Sequence, residues 1–150
     1  MVRLLFFVIL LYCPVLSSGQ NVDYLQHLEG GIIRGDTARE EIALVFTGDE
    51  YADGGQFITR VLKENNVKAS FFLTGNFYRN PYNASLIKTL KSDGHYLGAH
   101  SDRHLLYCDW YNRDSLLVDY DKFSRDIDNN YRAMQQFGIE KEDAGYFLPP

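Results

Sequence analysis

Ile42-Ala43-Leu44-Val45-Phe46-Thr47-Gly48-Asp49 is the stretch on which the fold turns. Its first five residues are apolar without alternation. That pattern predicts a strand buried on both faces, as in a parallel sheet, because an antiparallel strand with one wet face would alternate. Thr47-Gly48-Asp49 ends the run. Outward along the chain the pattern recurs. Lys68 to Leu73 carries Ala69-Ser70-Phe71-Phe72-Leu73, a second buried strand stopped by Thr74-Gly75, and Tyr96-Leu97-Gly98-Ala99 is a third, ending at His100. Gly145-Tyr146-Phe147-Leu148 begins a fourth, before Pro149-Pro150.

Helical spacing fills the intervals. Gly54 and Gly55 precede Phe57, Ile58, Val61 and Leu62, which share one helix face, and Asn65-Asn66 ends that helix. Asn83 is placed to cap a helix carrying Leu86, Ile87 and Leu90, closed by Asp93-Gly94. A longer helix runs from about residue 120 to 137, with Phe123, Ile127, Tyr131 and Met134 on one face and Gly138 as its stop. Strands alternating with helices imply an α/β fold with parallel strands and right-handed crossovers. The pattern alone fits an open sheet and a barrel equally. A fourth strand with nothing to cover it leaves an apolar edge, so the expectation is a partial fold truncated after about four strands.

The remaining features set the class. Arg3 followed by the apolar run Leu4 to Leu11, then Pro14 and Ser17-Ser18-Gly19, reads as a secretory signal peptide over residues 1–19, leaving Gln20 as the new N-terminus. The run is too short for a membrane span, which needs roughly 18 or more apolar residues. Secretion, to a periplasmic or extracellular space, is the expected localisation. Residues 20–41 read as an N-terminal lead-in and 42–150 as the domain. The net charge is -5 and the basic residues are scattered, which excludes nucleic acid as the main partner. No protein partner is legible. Of the two cysteines, Cys13 falls in the signal, so Cys108 has no mate in the mature chain. Its apolar setting reads as a small core residue.

The chemistry gathers at strand ends. His100 and His104 stand at i and i+4, which puts both rings on one face if the segment is helical, within reach of one metal ion. The pair begins where a predicted strand stops, and parallel α/β folds bind ligands at the carboxyl ends of strands. Asp49 ends another predicted strand and is the candidate third ligand. Two imidazoles and one carboxylate leave coordination positions open, as a catalytic site needs, and bound water there becomes more acidic.

These residues carry a family resemblance. Gly94-His95-Tyr96-Leu97-Gly98-Ala99-His100-Ser101-Asp102-Arg103-His104 resembles the pattern Gly-His-x-x-Gly-x-His-[Ser/Thr]-x-x-His of polysaccharide deacetylases, the NodB homology domains of carbohydrate esterase family 4. Lys68 to Gly75 is similar to that family's Ala-Thr-Phe-Phe-x-x-Gly. Ile42 to Asp49 falls where its Thr-Phe-Asp-Asp-Gly belongs, and Phe147-Leu148-Pro149-Pro150 where its Phe-Arg-Pro-Pro belongs. The resemblance implies a distorted (β/α) barrel and a carbohydrate substrate from which acetyl groups, amide or ester, are hydrolysed. It further implies a divalent metal, often zinc, held by two histidines and an aspartate. A second aspartate as general base, an arginine that orients it and a later histidine as general acid complete the family's set.

Departures stand beside the match. Thr47-Gly48-Asp49 replaces the Asp-Asp pair, so Thr47 or Gly48 occupies the base position if Asp49 is the ligand, and neither accepts a proton at neutral pH. Glu50 and Asp53 are the carboxylates that could substitute, though Asp53 reads equally as a turn residue before Gly54-Gly55. Leu148 stands where the arginine would be. The alternative reading is therefore a catalytically impaired relative that binds metal or sugar, or an inactive truncated fragment. Tyr107, Trp110 and Tyr111 are candidates for stacking on sugar rings, weighed against a core role. His95 reads as structural, His27 as a surface residue, and Asp102 and Arg103 as facing solvent or pairing with neighbours. Asn83-Ala84-Ser85 is an N-glycosylation sequon that counts only in a eukaryotic secretory host and otherwise reads as a helix cap.

Overall fold

The structure is a computed structural model that describes residues 24–150. The signal-peptide reading lies outside the described residues. Two compact units divide at Glu41 and Ile42. In the first, β1 (Gln26–Leu28) and β2 (Gly31–Arg34) form an antiparallel hairpin. Its two-residue turn, Glu29-Gly30, has positive φ at both positions, the geometry whose twist matches that of the flanking strands. The sequence reading of residues 20–41 as an irregular lead-in missed this hairpin. Its turn has no Asn-Gly or Asp-Gly signal, and its strands are exposed on both faces and do not alternate in polarity.

In the second unit β3 (Val45–Gly48), β4 (Ser70–Leu73) and β5 (Tyr96–Ala99) form a parallel sheet in the order β3-β4-β5. The register pairs Phe46 with Phe71 and Phe71 with Leu97. β4 and β5 each bury three consecutive residues, so both of their faces are covered. β3 differs from expectation. It starts three residues later than the apolar run, Ile42 is 90% exposed and Val45 50% exposed. The physical reason is position: among the described residues β3 has one neighbour and forms the sheet edge, so apolar composition did not bring burial on both faces. The predicted fourth strand reduces to one parallel bridge between Ala99 and Phe147, with Leu148 N–H donating to the Ala99 carbonyl at 3.1 Å. Among the described residues the sheet is open. No described helix is long and apolar enough to cross a membrane.

The crossovers are α1 (Gly55–Glu64), then α2 (Gly75–Arg79), a 3-10 turn (Pro81–Asn83) and α3 (Ala84–Ser92), then α4 (Tyr120–Gln135). Three of them end alike. Asn66, Gly94 and Gly138 take positive φ, and the next residue's N–H reaches back five positions: Val67 to Leu62, His95 to Leu90, Ile139 to Met134. This cap satisfies the last carbonyls and turns the chain toward the next element. α2 was not foreseen. It begins at Thr74, whose side chain accepts from Phe77 N–H at 3.1 Å. Asn83 precedes α3 but does not cap it; its amide donates to the Phe77 carbonyl at 3.2 Å and ties α2 to the turn. α1 buries Leu62 while Phe57 of the predicted face is 62% exposed.

α3 packs on α1 and β5, and α4 on α2 and β5. The core between them includes Leu73, Phe77, Ile87, Leu90, Ala99 and Met134. On α4 the buried stripe contains two polar residues, Asp126 and Asn130, beside Tyr131 and Met134. Asn130 is fully buried. Its Oδ1 accepts from His100 N–H at 2.8 Å and its Nδ2 donates to the Leu73 carbonyl at 3.3 Å, so one side chain joins the ends of β4 and β5. Asn130→Ala strands both backbone groups in the interior. The expected loss is about 3 kcal/mol, from two unpaired buried groups at ~1–3 kcal/mol each, read as a lower urea midpoint at unchanged slope.

Candidate metal centre and active site

The carboxyl ends of all three strands meet here. β3 delivers Asp49, β4 delivers Thr74 and β5 delivers His100. Asp49 is half-buried. Its Oδ1 accepts from Thr74 Oγ1 at 2.8 Å and from Asn76 Nδ2 at 3.2 Å, which orients the carboxylate.

The histidine segment is not helical, contrary to the geometry on which the i and i+4 argument relied. The chain leaves β5 in a loop with two left-handed residues, Ser101 at φ 70° and His104 at φ 55°. Such angles cost energy for residues with a side chain and persist where surroundings impose them. Ser101 is fully buried and its Oγ accepts from Leu105 N–H at 3.0 Å, which fastens the loop. The rings of His100 and His104 still meet edge to face, centroids 5.0 Å apart. His100 Nδ1 lies 2.7 Å from the Leu148 carbonyl, which can only accept, so Nδ1 carries the proton and Nε2 keeps its lone pair. Burial lowers the His100 pKa; that carbonyl opposes it, and His104 alongside (downward) and Asp49 (upward) act more weakly.

Under this loop lies a charged layer. Asp102 is 5% exposed and pairs with Arg79 at 2.6 Å, while Arg103 approaches its other oxygen at 3.7 Å. Gly75 permits this approach, because a Cβ there would fall 2.0 Å from Asp102 Oδ1. Asp126 Oδ2 accepts from Asp102 N–H at 3.0 Å and from Tyr107 Oη–H at 2.7 Å. Burial and that carboxylate push the Tyr107 pKa up.

Asp49, Glu50, His100 and His104 line one cavity of about 270 Å³, together with Thr47, Gly48 and Tyr51. Asp53 does not line it. Asp53 sits in the turn before α1, on a neighbouring, mostly apolar cavity of about 200 Å³. Gly48 bears on the departure from the Asp-Asp pattern: a Cβ there would stand 2.9 Å from Leu73 Cδ2 and 3.0 Å from the Phe77 ring, so a side chain requires those two side chains to move.

The donor chemistry of Asp49, His100 and His104, two imidazoles and one carboxylate, fits a divalent ion of the zinc class. Among the described residues, however, no three His, Cys, Asp or Glu side chains converge closely enough to share one ion.

The three candidate stacking aromatics are not among the cavity's lining residues. Tyr107 packs its ring against Phe123 at 5.0 Å and Phe147 at 6.2 Å, a structural placement. Trp110 and Tyr111 are 63% and 100% exposed on the loop between Cys108 and Leu116. Arg113 lies 4.7 Å over the Trp110 ring, and Asp109 Oδ1 holds the Tyr111 and Asn112 N–H groups at 2.8 Å each. Cys108 is only half-buried and accepts from Arg113. Sequence reading missed Thr74, Asn76, Arg79, Asp126 and Asn130. The last two were signalled, as polar residues at helical spacing within the apolar stripe of α4.

Two histidines and an aspartate at the carboxyl ends of parallel strands define an α/β protein with a polar cavity at its strand ends. The family profile described as polysaccharide deacetylase matches residues 34–150, and the chain belongs to that family. An uncharacterised 30.6 kDa protein of Geobacillus stearothermophilus is 28% identical over 134 residues, covering 89% of this chain and 46% of that protein. The uncharacterised protein YlxY of Bacillus subtilis is 29% identical over 123 residues, covering 79% of this chain and 34% of its own length. The chain thus spans less than half the length of either curated relative.

Solved structures show a similar fold. A family 4 carbohydrate esterase from Bacillus anthracis superposes with a TM-score of 0.58 at 26% identity, covering 77% of this chain and 51% of that one. A mutant of a pseudoenzyme of the same esterase family, with restored activity, gives 0.65 at 22% identity, covering 79% and 39%.

His95 lies at the other end of β5 from the cavity, 8% exposed, with Nδ1 accepting from Ala69 N–H at 3.2 Å and Nε2 unpartnered. Burial first, then Lys68, lowers its pKa from 6.5. The sign follows: above pH 6.5 both folded and unfolded forms are neutral and the stability is whole. As pH falls below 6.5 the unfolded chain takes up the proton first and stability is lost. Urea midpoints at pH 7.5 and 5.5 are expected to fall on acidification, and to fall less in His95→Gln.

Proposed function

We propose that this chain contributes the metal-binding part of a deacetylase that hydrolyses acetyl groups, amide or ester, from a carbohydrate polymer or oligomer. The carrying observation is that Asp49, Glu50, His100 and His104 line one cavity at the carboxyl ends of parallel strands. Asp49, His100 and His104 would hold a divalent ion, zinc by donor type, which supplies Lewis acidity toward an acetyl carbonyl and toward water. His100 is prepared for this by its fixed tautomer and Asp49 by its two donors. Glu50 is the remaining carboxylate on the cavity and the candidate general base; Asp53 is the weaker one, because it lines the adjoining space. Trp110 and Tyr111 offer exposed faces to sugar rings beyond the cavity. Completion of a (β/α) barrel around β3, β4 and β5 belongs to the same proposal.

One observation favours the second reading, a relative that binds metal or sugar with little turnover. Position 48 has no side chain, and position 148 presents a leucine whose backbone carbonyl meets His100 while its side chain carries no charge.

Metal content separates these from no site at all. The chain is expected to hold close to one zinc per molecule, and a His100→Ala, His104→Ala double variant to hold none. A folded parent without metal sinks the assignment. Acetate release from an acetylated sugar oligomer then divides enzyme from binder: metal-dependent release that drops at least tenfold in Glu50→Gln supports the enzyme.

Location is proposed with it. Residues 1–19 direct secretion, and mass spectrometry of protein exported from a secreting host should find Gln20 at the N-terminus. An intact Met1 on exported chain would refute cleavage.

A further inference from the structure

The site's two halves come from separate strands, and one short helix touches both. Asn76, at the start of α2, donates from Nδ2 to Asp49 Oδ1 at 3.2 Å. Its own Oδ1 accepts from Arg79 Nη2 at 3.3 Å, one helical turn later. Arg79 Nη1 in turn meets Asp102 Oδ1 at 2.6 Å, inside the loop that carries both histidines. The backbone repeats the link: Gly75 N–H donates to the Ser101 carbonyl at 3.1 Å and Asn76 N–H to the Asp102 carbonyl at 3.0 Å. The result is one chain of polar contacts, Asp49 to Asn76 to Arg79 to Asp102, running from the β3 end to the β5 end.

We propose that Asn76 and Arg79 are positioning residues for the ion site: they tie the Asp49 carboxylate to the His100–His104 loop, so that the closure the three donors still need to share one ion moves them together. This rests on the metal reading above. An ion needs its three donors at set distances, and residues behind the donors commonly govern affinity as strongly as geometry allows. Arg79 suits the task because a planar guanidinium holds two partners at a fixed angle, which an ammonium does not. Asp102 alone, buried with one oxygen toward Arg79 and the other toward exposed Arg103, would be a costly charge, so the pair also secures the loop.

The test is zinc affinity of the full chain by competition with a chromophoric chelator, alongside melting of the metal-free protein. Asn76→Ala removes the bridge to Asp49 and leaves the Arg79–Asp102 pair. It is expected to weaken zinc binding by ~10–100-fold while the metal-free melting temperature hardly moves. Arg79→Met breaks the buried pair and risks unfolding, so Arg79→Met with Asp102→Asn, which removes both charges, is the second variant, with the same loss of affinity expected. Arg79→Lys keeps a charge for Asp102 but cannot also hold Asn76, and should not restore parental affinity. Parental zinc affinity in Asn76→Ala and in the double variant overturns the positioning role while leaving the metal reading intact. A folded parent chain that takes up no zinc overturns both.

Discussion

Everything at the cavity depends on how a helix interior accommodates polar groups. α4 puts Asp126 and Asn130 one turn apart on the face that packs against the sheet. A buried amide or carboxylate is costly unless every partner is present. Here the partners are the chain's own strand ends. Asn130 takes the last free carbonyl of β4 and the first N–H beyond β5, and Asp126 takes the N–H of Asp102 and the Tyr107 hydroxyl. The loop can hold left-handed φ at Ser101 and His104 because these contacts define where its backbone goes. Strain in the loop and polarity in the helix are two sides of one constraint.

That constraint separates holding an ion from performing hydrolysis. The groups that orient Asp49 and His100 are neutral donors or a backbone carbonyl: Thr74, Asn76 and the Leu148 carbonyl. None brings a charge that would compete with a cation. The acid–base side is thinner. Position 48 holds a glycine, where a Cβ would press on the Leu73 and Phe77 side chains, and the acidic side chains on the cavity are Asp49 and Glu50. If Asp49 is spent on an ion, Glu50 is the carboxylate left on the cavity to move a proton.

Particular residues show what the sequence made legible. Ser70–Leu73 and Tyr96–Ala99 were readable as buried parallel strands because their large apolar residues are packed on both sides, and their stops named the site. The helix ends were readable from Asn66, Gly94 and Gly138, whose conformations follow local rules. Burial of Ile42 to Val45 was not, since composition does not say which strand becomes the edge. The proximity of His100 and His104 was expected for a helix and arises from a loop, so spacing proved a weaker guide than position after a strand. Arg79 and Asn76 were hidden because their roles join α2 to residues 23 to 27 positions away. Asp126 and Asn130 were visible only as exceptions to the stripe that contains them.

The edge strand brings the argument back to chemistry. β3 carries Asp49 at its end yet, among the described residues, pairs with β4 alone, and it exposes apolar residues such as Val45. A strand held on one side is the least constrained of the three, and it supplies the candidate anionic ligand. Its stiffness comes from the stacked rings of Phe46 and Phe71, 5.0 Å apart, from the Gly48 carbonyl accepting Thr74 N–H at 3.0 Å, and from the Thr74 and Asn76 side chains. Three of these four contacts lie at or beyond the last residue of the strand. The precision of Asp49 is therefore set from β4 and α2 rather than from β3 itself, and the least supported strand can still present a well-placed carboxylate.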